Sequence, residues 1–285
     1  MFLIVVFVSA CQYETAKPSE SFNRIALVIG NQHYTNNVLD NPINDAKAVQ
    51  ERLKSIGFEV ILQTDVTLTQ FYQALEKIRE KIKINQSIFF FYFAGHGNTL
   101  SKNSTEEYLM MTDKDKKVLV SIYRLYNFLD QVKARHNIVV IDACRNYQSH
   151  YLPLPSENNH PYIHLARNFR GNFTQARGEK KVEFVVHDDN VSEHFPASTI
   201  VSYSTSHNQM ARDWSLTDIK HSPYTKQLIK HLGDEEIPIW ELFRRVRAEL
   251  IAETNNTQRN IEESSLEKNV WLVPKESRVA FSPPI

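Results

Sequence analysis

Cysteine and glycine are both scarce in this chain, and neither sign of charge predominates. Only Cys11 and Cys144 occur among 285 residues, which excludes a disulfide framework and leaves the one cysteine in the body of the chain as a free thiol. A lone buried cysteine is ordinarily a small packing residue. Thirty-three basic residues balance thirty-three acidic ones, so no global field would hold the chain on nucleic acid. No apolar run approaches the roughly 20 residues that cross a bilayer, and no internal repeat is visible.

Two of the seven glycines flank one histidine, Gly95-His96-Gly97, at the end of the apolar run Ile88 to Ala94. A second apolar run, Ile138 to Ile141, ends in Asp142-Ala143-Cys144-Arg145. Both runs are short, β-rich and non-alternating, the pattern of parallel strands buried on both faces, whose chemistry gathers at their carboxyl ends. A thiol attacks a carbonyl as thiolate and needs a neighbouring base, a role that histidine fills near neutral pH. His96 is therefore the candidate base and Cys144 the candidate nucleophile. Glycine on either side lets the imidazole stand clear and the backbone approach a substrate. The amides of Gly97 and Cys144 are candidate oxyanion donors, each worth roughly 2.7–4 kcal/mol. If the strand runs on through Cys144, Asp142 lies on the same side about 7 Å away. There it would favour a cationic substrate side chain; the plain alternative is that Asp142 caps a loop or pairs with Arg145.

Strand and helix signals alternate along the rest of the chain. Arg24 to Gly30 reads as a strand, and Asn41-Pro42 opens a helix with a side-chain cap and a proline at its first position. Gly57 ends that helix, Phe58 to Leu62 form a strand, and Thr67-Leu68-Thr69-Gln70 is a capping box opening the next helix. An irregular polar stretch follows Phe93, and Ile122, Leu125, Leu129 and Val132 mark a third helix. Ala197 to Ser204 reads as a strand, Ser222-Pro223 as a helix cap, Ile237 to Ile251 as a helix and Asn269 to Val273 as a final strand. The order implies an α/β fold with a mostly parallel sheet covered by helices on both faces. Residues 148–196 lack periodicity over a length unusual for a connection. They carry Arg167, Arg170, Arg177, Lys180 and Lys181, read either as a solvated loop or as a strip open to proteolysis. His33, His136, His164 and His207 lack a comparable glycine setting and read as surface or core residues, and Tyr224 and Trp240 read as packing.

The start of the chain, Phe2 to Cys11, is apolar and is followed by polar residues 12–21, the pattern of a secretion signal. Val8-Ser9-Ala10-Cys11 resembles a bacterial lipobox, which implies lipid modification of Cys11, export and attachment to a bacterial membrane. No positive charge precedes the apolar run, and an ordinary buried strand in a cytoplasmic protein is the alternative. The expected division is residues 1–22 as signal and tether, 23–274 as one catalytic domain and 275–285 as a tail. The domain itself divides into 23–147, the 148–196 linker and 197–274.

An ordered set of motifs then points to a family. Ile25 to Asn31, Asn44-Asp45-Ala46, Tyr92 to Gly97, Asp142 to Arg145, Ser222-Pro223-Tyr224-Thr225 and Glu263-Ser264-Ser265-Leu266 together resemble bacterial caspase-like peptidases, near the metacaspases and paracaspases. The resemblance implies the three-layer α/β/α caspase fold with a six-stranded, mostly parallel sheet. It also implies cysteine endopeptidase activity on protein or peptide substrates, with His96 and Cys144 as the dyad and Gly97 and Cys144 as the oxyanion hole. Arg24 matches the arginine that precedes the first strand in caspases. Those enzymes carry glutamine where this chain has Asp142, and an acid there implies cleavage after Arg or Lys, with Asp45 as second acid. Asp45 also has a plainer explanation in the macrodipole of its helix. The third acid of paracaspases falls near Met210, and Asp213 is the nearby substitute. Cleavage after basic residues would make the 165–182 segment a self-processing site. No cofactor is implied; no loop has calcium-ligand spacing, and calcium dependence and dimerisation stay open. The competing reading is a catalytically silent caspase-like interaction domain.

Overall fold

Eight-residue apolar strands stack at the centre of the molecule because their side chains are covered from both sides. A computed structural model describes residues 22–35, 37–99, 106–114, 116–146, 171–172, 183–187, 193–214 and 219–273. In chain order the elements begin β1 (Asn23–Gly30), α1 (Pro42–Ser55), β2 (Glu59–Thr64), α2 (Leu68–Lys81) and β3 (Ser87–Ala94). Three strands follow, β4 (Gly97–Asn98), β5 (Tyr108–Met111) and β6 (Lys116–Ser121), then α3 (Ile122–Val132) and β7 (His136–Asp142). After β8 (Gly171–Asn172) and β9 (Glu183–His187) come β10 (Thr199–Tyr203), α4 (Pro223–His231), α5 (Ile239–Glu253) and β11 (Ile261–Ser264).

The main sheet has the order β11-β10-β7-β3-β1-β2 and is parallel except for β11. Alternation along each strand sends Leu27, Phe91 and Val139 to a cluster with α2 and α3, and Val28, Tyr92 and Val140 to a second cluster with α1, α4 and α5. The result is the expected α/β/α sandwich. The chain moves outward from β1 to β2 and then back across β1 to β3. A constant crossover hand therefore sets α1 and α2 on opposite faces and opens a crevice between the carboxyl ends of β1 and β3.

Local signals explain most helix boundaries. Thr67 and Gln70 complete the capping box, with Thr67 N–H on Gln70 Oε1 at 2.9 Å, and Ser222 Oγ accepts the Thr225 N–H at 2.9 Å. Asn41 caps α1 without a side-chain bond; its Nδ2 instead donates to the Asp213 carbonyl at 2.7 Å.

Three further expectations are corrected, besides the side-chain cap expected of Asn41. The stretch after Phe93 contains β4, β5 and β6, which with β9 and β8 build a second, five-stranded sheet. Residues 269–273 make only a bridge between Trp271 and Pro238, and the last strand is β11. Tyr224 is fully buried as expected, but Trp240 is 51% exposed, its Nε1 donating to Asn269 Oδ1 at 3.1 Å.

Candidate active site

The loop after β3 is held by the loop after β1. Gly95 N–H donates to the Asp142 carbonyl at 3.2 Å, tying the end of β3 to the end of β7. A β carbon on Gly95 would stand 2.5 Å from Tyr34 Oη, so the absent side chain is what admits the tyrosine. The Tyr34 hydroxyl accepts the His96 N–H at 3.0 Å and donates to the Met110 carbonyl at 3.1 Å, and its ring lies 4.6 Å from the His96 ring, centroid to centroid. Asn31 Nδ2 donates to the same carbonyl at 3.1 Å. The His96 Nε2 is 2.8 Å from the Asn37 carbonyl oxygen. A carbonyl only accepts, so Nε2 carries the proton and Nδ1 keeps its lone pair. Burial holds the imidazole below its ordinary pKa; Lys117 acts in the same direction, against the Asn37 carbonyl and Asp213.

Gly97 and Cys144 meet backbone to backbone. A β carbon on Gly97 would collide with the Cys144 carbonyl oxygen and lie 2.8 Å from the Ala143 side chain. Gly97 faces Leu109 across the β4–β5 pair, and Met110 N–H donates to the His96 carbonyl at 3.0 Å. In an antiparallel ladder that pattern makes Gly97 and Leu109 a non-hydrogen-bonded pair, so the ladder does not consume the Gly97 amide. Strand β7 stops at Asp142, so the expected strand spacing from Asp142 to Cys144 does not apply: the chain turns before the thiol. Cys144 Sγ donates to the Ala211 carbonyl at 3.7 Å. Burial pushes the thiol above its ordinary pKa, and the charges of Asp142 and Asp213 push the same way. Both shifts favour the uncharged form of the thiol and of the imidazole.

His96 and Cys144 line one pocket together with Asp45, Asp142 and Asp213. Asp142 Oδ2 accepts Ser222 Oγ–H at 2.5 Å and Thr225 Oγ1–H at 2.7 Å. Thr225 Oγ1 spends its proton on Asp142, so the Tyr92 hydroxyl, 2.6 Å away, is the donor between those two. The Ser222 hydroxyl thus serves the carboxylate at the end of β7 as well as the helix. Asp45, in the first turn of α1, is turned toward α4: its Oδ1 is 2.8 Å from His221 Nδ1 and its Oδ2 accepts Ser222 N–H at 3.3 Å. Asp213 accepts the amides of Asp40 and Asn41 at the start of α1. Burial raises all three carboxyl pKa values, Asp45 to about 7.

Other candidates lie elsewhere. The alternative pairing of Asp142 with Arg145 does not form, because Arg145 ion-pairs with Glu107, both side chains 7% exposed, and stacks 3.8 Å from the Tyr203 ring centre. Arg24 donates to the Ile56 and Leu272 carbonyls at 2.8 and 2.7 Å, at the amino end of the sheet and away from the pocket. His33 pairs with Asp65 and His136 with Ser198. Cys11, His164, Arg167, Arg170, Arg177, Lys180 and Lys181 lie outside the described residues. Tyr34, Asn37 and His221 went unremarked in the sequence. They act through space from loops without periodicity, and only the position of His221 beside the Ser222 cap was a signal. Among the described residues no group of three or more His, Cys, Asp or Glu side chains is arranged to hold a metal ion, and no helix is long and apolar enough to cross a membrane.

The profile of the caspase domain matches residues 23–271. In three dimensions the chain is similar to caspase-1 from Spodoptera frugiperda, with a TM-score of 0.60 and 14% identity over 91% of this chain and 93% of that one. No curated protein matches it in sequence. A match over nearly the whole folded body and a shared six-stranded architecture make this chain a member of the caspase-domain peptidase family.

Proposed function

We propose that this protein is a cysteine endopeptidase that cuts protein or peptide substrates after arginine or lysine, with Cys144 as nucleophile and His96 as base. The observation that carries the proposal is the convergence of His96, Cys144, the buried carboxylates of Asp45 and Asp142 and the half-buried Asp213 on a single pocket. With Nε2 protonated on the Asn37 carbonyl, Nδ1 is the atom that takes the proton from Sγ when substrate arrives. The thiolate adds to the scissile carbonyl carbon, and the oxyanion is held by the amides of Gly97 and Cys144. Collapse breaks the C–N bond, and the proton on Nδ1 passes to the departing amine. Water, activated by the same nitrogen, then hydrolyses the thioester and restores the thiol. The basic side chain enters among Asp45, Asp142 and Asp213.

Two extensions belong to this reading. Strands β8 and β9 pair antiparallel, Asn172 opposite Glu183. Cleavage within the 165–182 segment, which carries Arg167, Arg170, Arg177, Lys180 and Lys181, is the self-processing event that divides the 23–147 and 197–274 parts. Export and lipid anchoring through Cys11 would set the enzyme on a bacterial membrane, to be checked by fatty-acid labelling of the full chain against Cys11→Ser.

Fluorogenic peptides ending in Arg, Lys or Asp, offered to residues 12–285 under reducing conditions with and without calcium, test the assignment beside Cys144→Ala. Cleavage after Arg or Lys that vanishes in Cys144→Ala is expected. Cleavage after Asp would refute the acid pocket, and silence from an otherwise folded protein would favour an interaction domain or an unactivated zymogen.

A further inference from the structure

Asp45 meets the pocket already engaged from α4. Its side chain is 2% exposed, and His221, 18% exposed, sets Nδ1 at 2.8 Å from Asp45 Oδ1. Neither oxygen lacks a partner, since Oδ2 takes the Ser222 amide. Among the described residues, further charged groups stand near the couple. Asp142 stands at the end of β7, Arg212 and Asp213 after β10, and Lys220 precedes His221 in the chain. The Arg212 guanidinium donates to Thr257 Oγ1 at 3.0 Å.

An imidazole bonded to a carboxylate through one nitrogen has two accessible levels. With only Nδ1 protonated, the couple carries one negative charge; with Nε2 protonated as well, it carries none. Interacting groups of this kind take up the proton as a pair, and histidine brings that event into the range between pH 5 and 8.

We infer that the Asp45–His221 couple sets the charge that the pocket offers to a basic side chain, with His221 as the carrier of the controlling proton. This inference rests on the reading of the three carboxylates as the seat of an arginine or lysine side chain. A cation entering the pocket favours the anionic level and expels the proton, so binding tightens as pH rises and weakens on acidification. Burial raises the Asp45 carboxyl, the His221 bond lowers it and the Asp142 charge raises it further. His221 acts through Asp45 and is a positioning residue that also sets charge.

The test uses the Cys144→Ala protein and agmatine, the arginine side chain without its carboxyl group, so that no turnover is required. Calorimetry from pH 5.5 to 8.5 should show the dissociation constant falling about tenfold per pH unit below a break, with close to one proton released per agmatine bound. His221→Asn keeps an N–H donor for Asp45 Oδ1 but cannot carry charge. The break should then move up, because the proton falls to the Asp45 carboxyl alone, which burial raises and His221 no longer holds down, so that the variant binds less tightly than the parent near pH 7. In the parent, the His221 ring resonances should move to their neutral positions as agmatine binds, a reading that does not depend on the variant folding. An unmoved break, pH-independent binding or a silent His221 ring would overturn the inference and leave the acid pocket standing. Absence of agmatine binding at any pH would overturn the acid pocket, and this inference with it.

Discussion

Gly97 and the Cys144 carbonyl are packed so closely that a single methyl group on the glycine has no room. Gly97→Ala must push the Cys144 peptide away and displace its own amide, which the β4–β5 ladder leaves unused. Overpacking of this size costs about 1–3 kcal/mol, whereas loss of an oxyanion donor costs about 10²–10³ in kcat. Thermal unfolding and peptide cleavage should therefore diverge, with a modest fall in Tm beside a loss of kcat of at least a hundredfold. Equal and small effects on both would remove Gly97 from the oxyanion hole.

Tyr34 holds His96 by its hydroxyl and its ring. Tyr34→Phe keeps the ring and strips the acceptor from the part-buried His96 amide, a loss of about 1 kcal/mol. The variant should fold and bind basic peptides with unchanged KM while kcat falls, because the imidazole alone loses its mooring. A rise in KM with unchanged kcat would show that Tyr34 serves the substrate instead of the base.

The strands and most helices were legible because their signals are local. Continuous apolar runs marked β1, β3 and β7, and Thr67 with Gln70 marked the start of α2. Strand β11 was not legible: Ile261-Glu262-Glu263-Ser264 offers one apolar residue, and it is a strand because the β10 edge accepts it. Strands β5 and β6 were hidden in a stretch whose polar flanks masked two short apolar segments. The same division runs through the site. His96, Cys144, Asp45, Asp142 and Asp213 stand in or beside sequence motifs, and the pocket gathers all five. Tyr34, Asn37 and His221 reach it from loops whose course depends on the tertiary fold.

Arg145 follows the thiol, yet its side chain is committed to Glu107 and Tyr203, while its amide and carbonyl bond the Gln209 carbonyl and the Asn208 amide at 3.0 and 2.9 Å. Arg145→Met leaves Glu107 as an uncompensated buried carboxylate, an effect of about 3–5 kcal/mol. Arg145→Met combined with Glu107→Leu should recover much of that loss in urea denaturation. A double variant as unstable as the sum of the singles would show that the two residues are not energetically coupled.

The acid pocket is expected to weaken the empty protein as pH rises. Burial raises the folded-state pKa of Asp142 above its ordinary value, so between the ordinary carboxylate range and that raised value the unfolded chain gives up its proton while the folded chain keeps it. Stability then falls with rising pH across that window and stays lowered above it. Asp45, pushed up to about 7, extends the same trend toward neutrality. Asp142→Asn retains an oxygen for the Ser222 and Thr225 hydroxyls and carries no charge to desolvate. Urea denaturation should find Asp142→Asn more stable than the parent at pH 8 and close to it at pH 4, while cleavage after arginine falls steeply. The pocket would then hold its carboxylates against the preference of the fold, as expected of groups kept for binding a cation. A variant less stable than the parent at pH 8 would mean that the two hydroxyl bonds to Asp142 outweigh the burial of its charge, and that this carboxylate serves to anchor α4.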